Sequence, residues 1–172
     1  MLLIRYAGGF WRPSRRLEHV CAARRPAPLL PEAAASLLQS SKAFSNTADA
    51  QTVSEVYRHF FEAVAGSAAT LEFATLGWGV AEAAALALAL PRFSSLTSLD
   101  VSHNAIGPEG AKALGPTLGR MPRLSELNLS ECGLGAEGAA AIAAALGEST
   151  SLASVHLAMN VGRSRRLARS CH

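Results

Sequence analysis

Residues 96–115 read LTSLDVSHNAIGPEGAKALG, residues 124–143 read LSELNLSECGLGAEGAAAIA, and the same leucine pattern returns over 152–160 as LASVHLAMN. Twenty-eight residues separate Leu96 from Leu124, and another 28 separate Leu124 from Leu152. One interval earlier lies a weaker copy, AATLEFATLGWGVAEAAALA at 68–87. Leu71, Leu99, Leu127 and Val155 therefore share one slot, and Phe73, Val101, Leu129 and Leu157 share the next. A fixed period of this size means stacked supersecondary units, because a single unit cannot bury its apolar face alone.

Within each unit the Leu-x-x-Leu-x-Leu stretch alternates apolar and polar as a short strand does, and the Gly-x-x-Gly-Ala-x-x-Leu stretch that follows has helical spacing. The unit is strand, turn, helix. Gly107 and Gly135 sit at the turn, where the absence of a Cβ permits positive φ, and Pro108 suits the first helical turn. Ala111, Leu114 and Leu118 fall on one helical face, matched by Ala139, Ile142 and Leu146 one copy later. Strands pair about 4.8 Å apart whereas helices pack roughly 8–10 Å apart, so such a stack must curve with its strands inside.

Asn104, Cys132 and Asn160 occupy a further repeated slot just after the strand, where a buried polar side chain can bond the backbone of neighbouring turns. The first copy has Leu76 there, as a degenerate terminal repeat does. The pattern Leu-x-x-Leu-x-Leu-x-x-Asn/Cys-x-Leu/Ile followed by Gly-x-x-Gly-Ala, met by Leu96–Ala111 and by Leu124–Ala139, resembles the leucine-rich repeat superfamily in its ribonuclease-inhibitor-like subtype. The resemblance covers 68–160. It implies a horseshoe-type protein-binding scaffold, with regulation of small GTPases as one use within the family.

The expected fold class is α/β: a leucine-rich repeat solenoid, with a short curved parallel sheet inside and helices outside, an N-terminal helical cap and disordered basic ends. Four segments follow: a basic leader or disordered segment over 1–31, a helical cap over 32–67, repeats over 68–160 and a basic tail over 161–172. In the leader, Arg5, Arg12, Arg15, Arg16, Arg24 and Arg25 oppose only Glu18, a composition like that of a mitochondrial transit segment, although Pro13 and Gly8-Gly9 interrupt any amphipathic helix. The sequence predicts a cap of two helices. One is PEAAASLLQSSKAF opened by Pro31; the other spans Thr52–Ala65, with Thr52 and Glu55 as a capping box and Val53, Val56, Tyr57, Phe60 and Val64 as its apolar stripe. After Asn160 the pattern stops, and Arg163, Arg165, Arg166 and Arg169 face no acid. The last strand is thus expected to present an unpaired edge that favours self-association.

The sequence pI of about 9.1 misdescribes the body. Residues 31–160 hold six lysines and arginines against twelve acids, a charge of −6, while the two ends contribute +9. A specific nucleic-acid function needs basic residues arrayed on a folded surface, with aromatics to stack on or a helix to enter a groove, and the repeat body has neither. Cys21, Cys132 and Cys171 lie far apart and give no disulfide framework, which fits a reducing compartment. The longest apolar run, VAEAAALALAL, is about half the length needed to span a bilayer, so no membrane span is predicted. The expected location is intracellular and cytoplasmic, or mitochondrial if the leader is a transit peptide.

No catalytic, cofactor or metal site is predicted. Gly133-Leu134-Gly135-Ala136-Glu137-Gly138 spells a dinucleotide fingerprint between strand and helix, but Gly135 and Gly138 are repeat glycines equivalent to Gly107 and Gly110. The acid that would hold a ribose some 20 residues on is missing. Lys112 lacks P-loop spacing, and no two of the five histidines sit at i, i+4 to share a metal. What remains is the inner sheet face. Strand alternation points Glu72, Asp100, Asn128 and His156 along one column, flanked by Ser98 and Glu126 on one side and Ser102 and Ser130 on the other, with His103 and Glu131 just beyond. These ten residues are the candidate protein-binding set, for a protein partner of unassigned identity. The set is polar, mildly acidic and free of Trp, Tyr or Arg anchors. Four five-residue strands give a face of roughly 250 Å², against roughly 800 Å² per partner in a standard interface. A non-catalytic interaction module is the primary reading. The alternatives are a small-GTPase activator similar to the Ran GTPase-activating proteins, or a truncated piece of a longer repeat protein.

Overall fold

The computed structural model describes residues 27–40, 46–147 and 149–160. Two helices, α1 (Pro31–Ser40) and α2 (Thr47–Ser67), precede the array. There follow β1 (Thr70–Glu72), α3 (Val80–Ala89) with a 3₁₀ turn at Leu90–Arg92, β2 (Ser98–Asp100), α4 (Gly107–Gly119), β3 (Glu126–Asn128), α5 (Gly135–Leu146) and β4 (Ser154–His156). The four strands form one parallel sheet in the order β1-β2-β3-β4, each crossover being made by a helix.

The register repeats the sequence interval. Leu71 pairs with Leu99, Leu99 with Leu127, and Leu127 with Val155, so each strand is displaced from the next by one 28-residue unit. On the helix-facing side Leu71, Leu99 and Leu127 are all at most 3% exposed. They join Leu114, Leu118 and Ile142 in one apolar cluster between sheet and helices. The α/β solenoid follows directly from the leucine spacing.

Helix-to-helix approach depends on residues without bulk. A Cβ at Gly138 in α5 would stand 3.0 Å from Pro108 Cα and 3.1 Å from Ala111 Cβ in α4. A Cβ at Gly110, one copy earlier, would stand 3.1 Å from Ala83 Cβ in α3. The repeat glycines are spacers between neighbouring coils.

The polar slot after each strand forms the ladder that its spacing suggests. Asn104 Oδ1 accepts from the N–H of Leu76 (3.1 Å) and Trp78 (3.0 Å) in the preceding coil, while Nδ2 donates to the carbonyls of Phe73 and Val101, both at 2.8 Å. Asn160 repeats this on Cys132 N–H (2.9 Å), Leu134 N–H (3.3 Å), and the carbonyls of Leu129 (2.6 Å) and Leu157 (3.0 Å). Cys132 gives a reduced version, its Sγ donating to Val101 O at 3.2 Å. A second ladder runs at the other end of the strands, where Thr97 Oγ1 donates to Ala69 O (2.9 Å) and Ser125 Oγ to Thr97 O (3.0 Å).

The helices before the array depart from the sequence expectation in two respects. Helix α2 begins five residues before Thr52, at Thr47, because Asn46 caps it: Oδ1 accepts from Asp49 N–H at 2.7 Å, whereas Thr52 Oγ1 bonds back to Ala48 O inside the helix. Its expected stripe meets the core through Tyr57 but not through Val53 or Val56. Phe61 (2%) and Ala65 (3%) are buried, while Val53 and Val56 are 41% and 64% exposed. Phe61 meets the Phe93 ring edge-on at 5.8 Å, and this tertiary partner selects the face one residue away from the expected one. Helix α1 is described only to Ser40, so the rest of its expected span lies outside the described residues. Ala27 and Pro28, assigned to the leader on sequence, are buried, and Leu29 O accepts from the Tyr57 hydroxyl at 2.8 Å. The remainder of the leader and the 161–172 tail lie outside the described residues, and with them the expectation of disorder at both ends.

Candidate protein-binding surface

Because Leu71, Leu99, Leu127 and Val155 point toward the helix layer, their strand neighbours stand on the opposite face. Glu72, Glu126 and His156 are exposed there, and Ser98, Asp100 and Asn128 are partly so. The central pair is tied together: Asn128 Nδ2 donates to Asp100 Oδ2 at 3.0 Å, linking adjacent coils. Each of the two also ends its own strand. Asp100 Oδ1 accepts from Ser102 N–H at 2.8 Å, and Asn128 Oδ1 accepts from Ser130 N–H at 3.1 Å. These are Asx-type turns, which compete with strand continuation.

That turn removes one expected residue from the surface. Ser102 is 3% exposed and does not present a side chain to a partner. The strands are three residues long rather than five, so alternation fails beyond Asp100 and cannot be carried on to position 102. Ser130, its counterpart, stays partly accessible.

His103 and Glu131 adopt left-handed backbone with φ of 56° and 55°, the same slot that Thr75 and Met159 fill at 60° and 56°. The conformation lifts these side chains to the rim where the strands end. His103 Nδ1 lies 3.5 Å from Glu131 Oε2 across the coil boundary, with side chains 50% and 31% exposed. At the far edge Ser154 Oγ sits 3.2 Å from His156 Nε2. The surface thus gathers nine of the ten expected residues. It carries the carboxylates of Glu72, Asp100, Glu126 and Glu131, and none of the ten is a lysine or arginine.

Elsewhere the motifs with catalytic resemblance have structural occupations. Gly135 N–H, which a dinucleotide phosphate would need, donates to Asn160 O at 3.0 Å, and Gly138 is a packing spacer against α4. Lys112 lies on the exposed flank of α4, 2.9 Å from Glu109 Oε1 and 3.7 Å from Glu137 Oε1. Its hydrogen bond to Glu109, then the charges of Glu109 and Glu137, raise its pKa. Cys132 is fully buried, and desolvation pushes its thiol up to about 11 despite a backbone bond from Asn104 that favours the thiolate. Such a thiol is inert rather than nucleophilic. Among the described residues no group of three His, Cys, Asp or Glu side chains suits a metal, and no helix is long and apolar enough to cross a membrane.

A search of curated proteins gives no match to this chain. A family model described as Leucine Rich repeat matches residues 94–115 and 122–143. The two matched segments are offset by the interval that separates β2 from β3 and Asn104 from Cys132. They identify this stretch as two leucine-rich repeats, and support the leucine-rich repeat superfamily for the array that contains them.

Proposed function

We propose that the array is a non-catalytic protein-interaction module whose partner docks on the sheet face and the rim beyond it. The observation that carries this reading is that Glu72, Glu126, His156 and His103 stand exposed on the face away from the core, where they fill no packing role. Leucine-rich repeats are in general protein-interaction modules, which supports the same reading. The acidic character of the face suits a partner segment carrying arginine or lysine. A sheet of four three-residue strands is small against a standard interface of roughly 800 Å² per partner, so contact by the rim residues His103 and Glu131 is part of the proposal.

Photocrosslinking tests it. An aryl-azide or benzophenone side chain placed at Glu126 or His156 should yield specific adducts in a cell extract, and one at Ala140, on the exposed side of α5, should not. Equal adduct patterns from both faces would refute the reading.

A further inference from the structure

We infer that a cavity between the first two coils binds a small carboxylic acid with an apolar body, and that Arg120 takes its carboxylate. The cavity measures about 410 Å³ and lies between the 90–94 turn after α3 and the C-terminal end of α4. That volume falls within the roughly 300–1,000 Å³ of ordinary small-molecule sites. Buried Leu90, Phe93 and Met121 line it, together with exposed Pro91, Pro116 and Pro122. Its lining is drawn entirely from the described residues.

Two slots that change residue between coils account for the opening. Where α4 meets α5, a Cβ at Gly115 would stand 3.2 Å from Ala145 Cβ, and a Cβ at Gly119 would overlap Ala145 O, so the helix ends touch. One coil earlier the same slots hold Ala87 and Pro91. A pyrrolidine ring cannot be approached as a glycine is, and the gap left beside it is the cavity. Thr117, the counterpart of Ala145, reaches across only through its hydroxyl, which donates to Ala87 O at 3.2 Å. The three prolines hold their φ fixed, so these walls need little ordering when a ligand enters.

Charge selects the ligand. Arg120 is exposed and is the one charged residue of the lining. Its counterpart 28 residues earlier, Arg92, holds the Glu32 carboxylate of α1 at 3.6 Å. Arg58 and Lys112 likewise pair with Glu62 and Glu109, whereas Arg120 forms no ion pair among the described residues. The guanidinium therefore stands beside an apolar cavity without an acid of its own. A simple anion gains little there, because the body around it carries a charge of −6. A ligand that buries apolar surface against Leu90, Phe93 and Met121 and also offers a carboxylate satisfies both features. This cavity is distinct from the proposed sheet-face site, and its test is independent of that reading.

The probe is naphthylacetate, read by NMR of the full-length protein carrying carbon-13 in its methionine methyl groups. Met121 lines the cavity, and Met159, 66% exposed on the rim beyond β4, is the internal control. Titration should move the Met121 methyl resonance saturably and leave that of Met159 in place. Neutral naphthylacetamide should bind at least about tenfold more weakly, as loss of a charge-assisted bond implies. Arg120→Gln should weaken the acid to the same extent and leave the amide unchanged. Ser94→Trp, which fills the cavity from an exposed lining position, should abolish binding of both. Arg123→Gln, at an exposed arginine outside the lining, should alter neither. Circular dichroism and an unmoved Met159 resonance verify the fold of each variant. No saturable shift at Met121 up to about 10 mM probe, equal affinity for acid and amide, or equal losses in Arg120→Gln and Arg123→Gln would each overturn the inference.

Discussion

Replacing Asn104 with alanine deletes a side chain that serves two coils at once. Its Oδ1 is the acceptor for the N–H groups of Leu76 and Trp78, and its Nδ2 bonds the carbonyls of Phe73, Val101 and Ser102. Two of those carbonyls keep another donor, Val101 from the Cys132 thiol and Ser102 from Thr75 N–H. Three groups then lose the bond that Asn104 supplied: Leu76 N–H, Trp78 N–H and Phe73 C=O. At about 1–3 kcal/mol per buried unsatisfied group, and with some relief from water at half-buried Leu76, the expected loss is about 3–5 kcal/mol. That is a large share of the roughly 5–15 kcal/mol that stabilises an ordinary domain. Cys132→Ala is the comparison, because its Sγ bonds only carbonyls that keep another donor, Val101 O from Asn104 and Ser130 O from His103 N–H, and it should cost only about 1–2 kcal/mol. Urea titration followed by far-UV circular dichroism and by Trp78 emission, in a Trp11→Phe background, reads both variants. Trp78 is 2% exposed and hangs from the bond that the mutation breaks, so its emission reports the first coil directly. A midpoint for Asn104→Ala no lower than that for Cys132→Ala would refute the claim that the ladder holds the coils together.

Other substitutions separate packing from propensity. Gly138→Ala should destabilise by about 1–3 kcal/mol, since the added methyl meets Pro108 Cα at 3.0 Å. Gly66→Ala in α2 has nothing within 4 Å and should raise the thermal midpoint, with a gain of about 0.5–1 kcal/mol; opposite signs in the two melts are the check. Leu127→Ala, at 0% exposure, should cost about 2–5 kcal/mol in urea, whereas Val155→Ala at 38% should cost under about 1 kcal/mol. For Cys132 the folded pKa is raised above the unfolded one, so its contribution is complete below the ordinary thiol range and fades as pH climbs from about 9 toward about 11. In a Cys21→Ser, Cys171→Ser background, urea midpoints measured from pH 8 to 11 should fall, and Cys132→Ala should flatten that decline.

The stacking was legible in the sequence because one constraint governs it. Every coil must present Leu99 or Leu127 to the same wall, so the interval between leucines is also the interval between strands. The Asn104 and Asn160 positions were legible for the same reason. The surface was less so. Ser102 looks outward when alternation is extended from Asp100, but the Asp100 carboxylate captures Ser102 N–H and ends the strand there. Whether a short polar side chain decorates a face or closes a turn depends on backbone bonds that spacing does not encode. Helix α2 was misread for a related reason: Phe60 and Phe61 are adjacent and equally apolar, and only Phe93, 32 residues after Phe61, decides which of them turns inward.

The pairing of each strand solely with the one before and after it has a kinetic consequence. No β-sheet bond joins β1 to β3 or β2 to β4, so each sheet contact spans one 28-residue step. Repeat arrays of this kind store stability as nearest-neighbour couplings, and fraying propagates along the stack instead of occurring all at once. Amide exchange should be slowest at Leu99 and Leu127, whose strands are paired on both sides, and faster in β1 and β4, which are paired on one side among the described residues, an unzipping gradient that runs from the edges of the sheet to its centre.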